Sequence, residues 1–162
     1  MTYPAQADGD DIFETAPLVI PATVELDATP AAVWEALGSD AMWSWFPPLD
    51  RLRWLSARPL GEGAVRTIRV TRLFTLEEHF YRWEEERRAT FHVVGVTRPV
   101  LSALAEDFLL EPLPGDRTRL TWTFALDPRL PGARLLGRVA GPLLRAGNRS
   151  MIAGIRKILP RG

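Results

Sequence analysis

LFTLEEHFYRWEEERRATFHVVGV, residues 73–96, decides the fold. Phe74, Leu76 and Phe80 alternate with Thr75, Glu77, His79 and Tyr81, and an acidic cluster, Glu84-Glu85-Glu86, separates this run from a second alternating one that begins near residue 88. Period-two alternation broken by a turn is the mark of an antiparallel hairpin, because successive strand side chains point to opposite faces of a sheet. Working outward, the same period holds for about 75 residues, with further turn signals at Gly61-Glu62-Gly63, Thr97-Arg98-Pro99 and Pro114-Gly115-Asp116. Strands are expected at 50–56, 64–71, 73–83, 88–96, 101–112 and 118–126. Turns this short make neighbouring strands antiparallel, since a parallel pair needs a crossover of about a dozen residues.

Upstream, Leu18 to Asp27 reads as another strand, with Pro21 near its start. Thr29 caps a short helix that begins at Pro30 and ends at Gly38, and a second helical piece is expected from Asp40 to Trp45, where Phe46-Pro47-Pro48 stops it. Downstream, Gly132 to Leu159 reads as a long helix with a break at Gly141-Pro142. Leu136, Val139, Ala140, Leu143, Met151, Ile155 and Ile158 are its expected buried face, and Arg134, Arg138, Arg145, Arg149 and Arg156 its wet one. Residues 1–16 are polar and acidic and read as a flexible tail outside a single domain spanning 17–162.

This order of elements has one economical solution: an α+β fold in which a curved seven-stranded antiparallel sheet wraps around the long C-terminal helix, with two short helices after the first strand. Composition narrows the function. The 162 residues carry 20 basic and 20 acidic side chains, which gives no overall attraction to nucleic acid or to a charged membrane. With no cysteine and only two histidines, thiolate chemistry is excluded and a metal site has little support. No Gly-rich loop opens a helix to hold a nucleotide, and no run of about 18 apolar residues offers a membrane span. A cytoplasmic protein without cofactor or metal, monomeric or homodimeric, is the expectation.

Three segments carry a family resemblance: Val24-Glu25-Leu26-Asp27-Ala28-Thr29-Pro30-Ala31-Ala32-Val33-Trp34, Gly61-Glu62-Gly63-Ala64-Val65-Arg66, and Gly115-Asp116-Arg117-Thr118-Arg119-Leu120-Thr121-Trp122-Thr123. In order and spacing they resemble the START-like SRPBCC superfamily, in particular its polyketide cyclase/dehydratase group. The resemblance covers about residues 18–159 and implies the helix-grip fold, with a hydrophobic cavity between sheet and helix. It does not discriminate among lipid carriers, receptors and aromatase/cyclases.

Within that frame, Glu78 lies on the inward face with Phe74, Leu76 and Phe80, where an isolated charge would cost several kcal/mol. The Glu78-His79-Phe80 stretch is similar to the glutamate-bearing strand of plant abscisic-acid receptors, which implies ligand contact. Neutralising an arginine is the other reading, and the resemblance puts Arg66 inward on the adjacent strand. His92 is expected opposite Glu78, where the two form an acid/base couple, provided the hairpin register keeps it inward. Leu120, Trp122 and Phe124 read as cavity wall, and Trp45 as closing one end of the pocket. The expected ligand site is therefore Arg66, Glu78, Phe80, His92, Trp122, Phe124 and Trp45, with no catalytic residue assigned. A small hydrophobic ligand bound or carried is the first functional reading, and a cofactor-independent polyketide cyclase or aromatase is the alternative.

Overall fold

The computed structural model describes residues 2–5 and 9–160. In chain order the elements are β1 (Tyr3–Pro4), α1 (Ile12–Thr15), β2 (Leu18–Leu26), α2 (Pro30–Gly38), β3 (Leu49–Trp54), β4 (Val65–Val70), β5 (Phe74–Glu84), β6 (Arg88–Val96), β7 (Leu101–Leu113), β8 (Arg117–Pro128) and α3 (Ala133–Ala153). A short 3-10 turn, Gly154–Lys157, follows α3.

Seven strands form one antiparallel sheet in the order β2-β8-β7-β6-β5-β4-β3, and β1 adds two residues against the end of β6. Strands β3 to β8 are therefore a meander, and β2 returns to close on β8 over its whole length, from Leu18 opposite Leu126 to Leu26 opposite Thr118. Register shifts in β3, β5 and β7 break the ladders. An unpaired extra residue bends its strand and sharpens the local twist, so these irregularities curl the sheet around its concave face. That face holds the core, which includes Leu26, Val33, Phe80, Phe91, Leu120, Trp122, Ile152 and Ile155, all fully buried.

The local chemistry accounts for the helices. Thr29 accepts the amide N–H of Ala32 at 3.3 Å, with Pro30 as the first residue of α2. The second helical piece expected over 40–45 is instead a succession of turns, with Ser44 N–H on Ala41 O and Phe46 N–H on Trp43 O. Trp43 adopts φ +68°, a left-handed conformation that a helix cannot carry through. Pro142 does not interrupt α3, which runs unbroken through it.

Two further expectations are corrected. Val139 and Leu143 of α3 are exposed, because the helix lies along β2 on its Ala133, Gly137, Gly141 and Asn148 side. A Cβ at Gly137 would sit 2.9 Å from the carbonyl oxygen of Pro17, and Asn148 Nδ2 donates to the Ile20 carbonyl at 2.9 Å. The side chain of Leu136 lies outside the described residues. Residues 3–5 and 9–15, expected in a tail, are held to the sheet: Tyr3 and Pro4 pair with the end of β6, Ala5 is fully buried in the main core, and Ile12 packs with Ala105 and Ala125 in a second small cluster on the convex side.

Candidate functional site

The meander register places Arg66 of β4 directly opposite Glu78 of β5, and Trp54 of β3 opposite Arg66. All three thus share the concave face. Arg66 is 1% exposed and Glu78 3%, and the Arg66 Nε donates to Glu78 Oε2. The guanidinium is caged by rings: its central carbon lies 5.3 Å from the Trp54 centroid, 5.0 Å from Phe80 and 4.8 Å from Phe91. Ring faces carry negative potential, so the cage holds the cation where water cannot reach it.

A second buried carboxyl belongs to the same group. Glu106 of β7 is 6% exposed, and its Oε2 accepts the indole N–H of Trp122 at 2.8 Å. Burial pushes the Glu106 carboxyl well above the usual carboxylate range, and the nearby Glu78 charge pushes it further, against the pull of Arg66 and the Trp122 hydrogen bond. Burial also raises Glu78, but Arg66 opposes this by charge and by direct hydrogen bond. Two carboxyls around one guanidinium cannot both ionise in a dry interior. Glu78, in contact with Arg66, carries the charge, and Glu106 keeps the proton.

This gives a pH dependence with a definite sign. A carboxyl whose folded-state pKa lies above its unfolded value contributes stability below the unfolded value and loses it as pH rises through the folded one. The melting temperature should therefore fall as pH rises above the ordinary carboxylate range. Glu106→Gln, which keeps an oxygen for the Trp122 N–H, should flatten that fall and raise the melting temperature at alkaline pH. Melting curves that depend on pH identically in both proteins would contradict the assignment of the proton to Glu106.

Around this polar group the concave face is aromatic. Trp122 lies 5.8 Å from Phe124 and nearly parallel to it, 5.1 Å from Phe108 and 5.2 Å from Trp43. Trp45 donates its indole N–H to the Met151 carbonyl at 2.9 Å, and its ring lies on Gly154, where a Cβ would run into it. It fastens the end of α3 to the turns after α2.

On the other flank, Trp34, Leu37, Gly38, Trp54, Phe80, Trp83 and Phe108 line a narrow crevice between α2 and the sheet, packed too closely to admit a water molecule. The Trp54 indole nitrogen is buried and, among the described residues, has no hydrogen-bond partner. Burying such a donor unpaired costs about 1–3 kcal/mol.

Of the residues expected in the ligand site, the structure brings Arg66, Glu78 and Phe80 together, stacks Trp122 on Phe124 elsewhere on the concave face, and sets Trp45 at the end of α3; of these only Phe80 lines the crevice. His92 does not belong. In the β5–β6 hairpin Phe80 faces Phe91 and Arg82 faces Thr90, so Tyr81 is an extra residue that shifts the register by one. His92 then pairs with His79 on the convex side, 5.2 Å from the Tyr81 ring, and Val93 takes the place opposite Glu78. The Glu78–His92 couple is thereby removed. Tyr81, also convex, donates its hydroxyl to Asp10 at 2.8 Å.

Sequence reasoning missed Glu106, Trp54, Trp34, Trp83 and Phe108. The signal for Glu106 was the one that found Glu78: an acid inside an apolar alternating row, here Leu104, Glu106, Phe108, Leu110.

A family model described as "Polyketide cyclase / dehydrase and lipid transport" matches residues 18–158. The chain is 32% identical over 156 residues to the uncharacterized protein Rv2574 of Mycobacterium tuberculosis, covering 96% of this chain and 92% of the relative. A START superfamily protein from Mycobacterium smegmatis superposes with a TM-score of 0.68 at 17% identity, over 87% of this chain and 96% of the other. The Zhui aromatase/cyclase from a Streptomyces species gives 0.58 at 23% identity, over 86% and 84%. At such identities the two structures speak for the fold alone.

Proposed function

Since the chain belongs to the polyketide cyclase/dehydrase and lipid transport family, we propose that it binds a small hydrophobic molecule in the aromatic crevice between α2 and the sheet. The ligand presents a hydrogen-bond acceptor to the crevice wall. The observation that carries this reading is the buried, unpartnered indole N–H of Trp54, a residue of that wall. Ligand pockets are mostly apolar with a few polar groups that fix orientation, and an unpaired donor in such a wall is a site for a ligand oxygen. The caged Arg66–Glu78 pair lies behind Trp54 and Phe80 and sets the potential at that end. The crevice is closed in this structure, so the ligand enters as the rings of Trp34, Trp54 and Trp83 part.

The test separates shape from hydrogen bonding. Trp54→Phe keeps an aromatic ring and removes the donor. It should weaken a carbonyl-bearing apolar probe such as Nile red by about tenfold while leaving a pure hydrocarbon such as pyrene nearly unaffected. Equal weakening of both probes, or binding of neither to the wild-type chain, would count against the proposal.

A second reading, a cofactor-independent cyclase acting on a poly-β-ketone, is favoured by Glu106. A buried carboxyl kept protonated can donate to a ketone oxygen as general acid. On this reading the chain turns over a poly-β-ketone thioester and Glu106→Gln abolishes the turnover. Binding without product supports the carrier.

A further inference from the structure

The C-terminal helix carries a surface that ligand binding does not use. All 20 acidic residues of the chain precede residue 128, and residues 128–162 hold seven arginines and Lys157. A chain with no net charge is therefore divided into a segment of +8 and a remainder of −8, from 20 basic minus these 8, less 20 acidic.

Within α3 the charge is ordered. The side toward Ala133, Gly137, Gly141 and Asn148 lies on β2. On the opposite side Leu135, Val139 and Leu143, spaced four residues apart, form a continuous apolar ridge, 65%, 74% and 76% exposed. Leu130, just before the helix, is also exposed. Arg134, Arg138, Arg145 and Arg149, all exposed, run along one flank of the ridge. Long exposed aliphatic side chains in a row are unfavourable in water, and this row adjoins cations with no carboxylate anywhere in the segment.

We propose that α3 docks the protein reversibly on an anionic phospholipid surface. The Leu135–Val139–Leu143 ridge enters the headgroup and acyl boundary, and the arginine row contacts lipid phosphates. A helix with an apolar ridge beside a basic flank lies in the plane of a membrane interface, held by buried apolar area and by attraction to anionic lipid. Among the described residues no helix is long and apolar enough to cross a membrane, so the contact is superficial. The proposal is independent of the crevice and of any ligand in it. Charge complementarity favours the bilayer over a second copy of the chain, whose own α3 would oppose arginine to arginine.

The experiment is co-sedimentation of the full chain with vesicles, either pure phosphatidylcholine or equal parts phosphatidylcholine and phosphatidylglycerol, at low and at high salt. The wild-type chain should sediment with the mixed vesicles, far less with pure phosphatidylcholine, and less at high salt. Arg138→Gln/Arg145→Gln should weaken binding at least tenfold, at about fivefold per arginine. Leu143→Ser should weaken it separately, with helix content by circular dichroism unchanged in both variants. The proposal is overturned by absence of binding to mixed vesicles at low salt, by equal binding to both vesicle types, or by variants that bind as the wild type does. A wild-type dimer in analytical ultracentrifugation that Leu143→Ser converts to monomer would show a second copy on the ridge and would also overturn it.

Discussion

Replacing Arg66 by Gln should destabilise the protein by about 3–5 kcal/mol at neutral pH, a large part of the 5–15 kcal/mol that holds a typical domain folded. The loss comes less from the missing ion pair than from what it leaves behind. Glu78, 3% exposed, would be left charged in the aromatic interior without the cation it now contacts. Protonation relieves the orphaned Glu78, so the deficit should shrink as pH falls and widen as it rises. Glu78→Gln in the Arg66→Gln background should restore much of the stability, because two neutral amides opposite one another leave no buried charge unpaired. Chemical denaturation of the four proteins in that cycle measures this directly. Additive losses would show that the two side chains do not act as a pair.

The second large effect is expected at Ile155. It is fully buried in the turn that follows α3, beside the equally buried Ile152 and in the same core as Trp122 and Phe80. Ile155→Asp puts a carboxylate into that core with no arginine facing it and should leave the chain unfolded. Ile155→Val, which removes one methylene, should cost only about 0.5–1.5 kcal/mol. Thermal unfolding by circular dichroism distinguishes the outcomes, and a soluble, cooperatively melting Ile155→Asp protein would contradict the position given to this residue.

Much of this architecture is legible in the residues alone, for reasons that also explain where reading fails. Period-two alternation in 73–96 and 118–126 determines which side chains share a face, and so the inward parity of Glu78, Trp122 and Phe124 follows from spacing. The inward place of Arg66 is implied by the family resemblance instead, and the unshifted β4–β5 ladder sets it opposite Glu78. His92 fails at one residue. Tyr81 is unpaired in the β5–β6 ladder, and no residue type marks an unpaired position in advance.

The helices show the same division. Thr29-Pro30 and Gly38 mark α2 through backbone chemistry that is local in sequence. The face α3 buries depends on its partner: the helix approaches β2 most closely at Gly137, where the absence of a side chain permits contact with Pro17 and Leu18, and so its larger apolar residues face outward. Glycine reads as a helix weakness in sequence and acts here as a packing surface. The unpartnered Trp54 donor, likewise, depends on what strands 12 and more residues away place around it.

The central claim is that the interior holds a small apolar molecule. Native mass spectrometry of the purified chain, before and after incubation with a total lipid extract, tests it most directly. The account predicts a discrete adduct on the 18.2 kDa chain that is released on denaturation, carries an oxygen acceptor, and is less abundant in Trp54→Phe. A spectrum showing only the bare chain after incubation, in wild-type and variant alike, would contradict it.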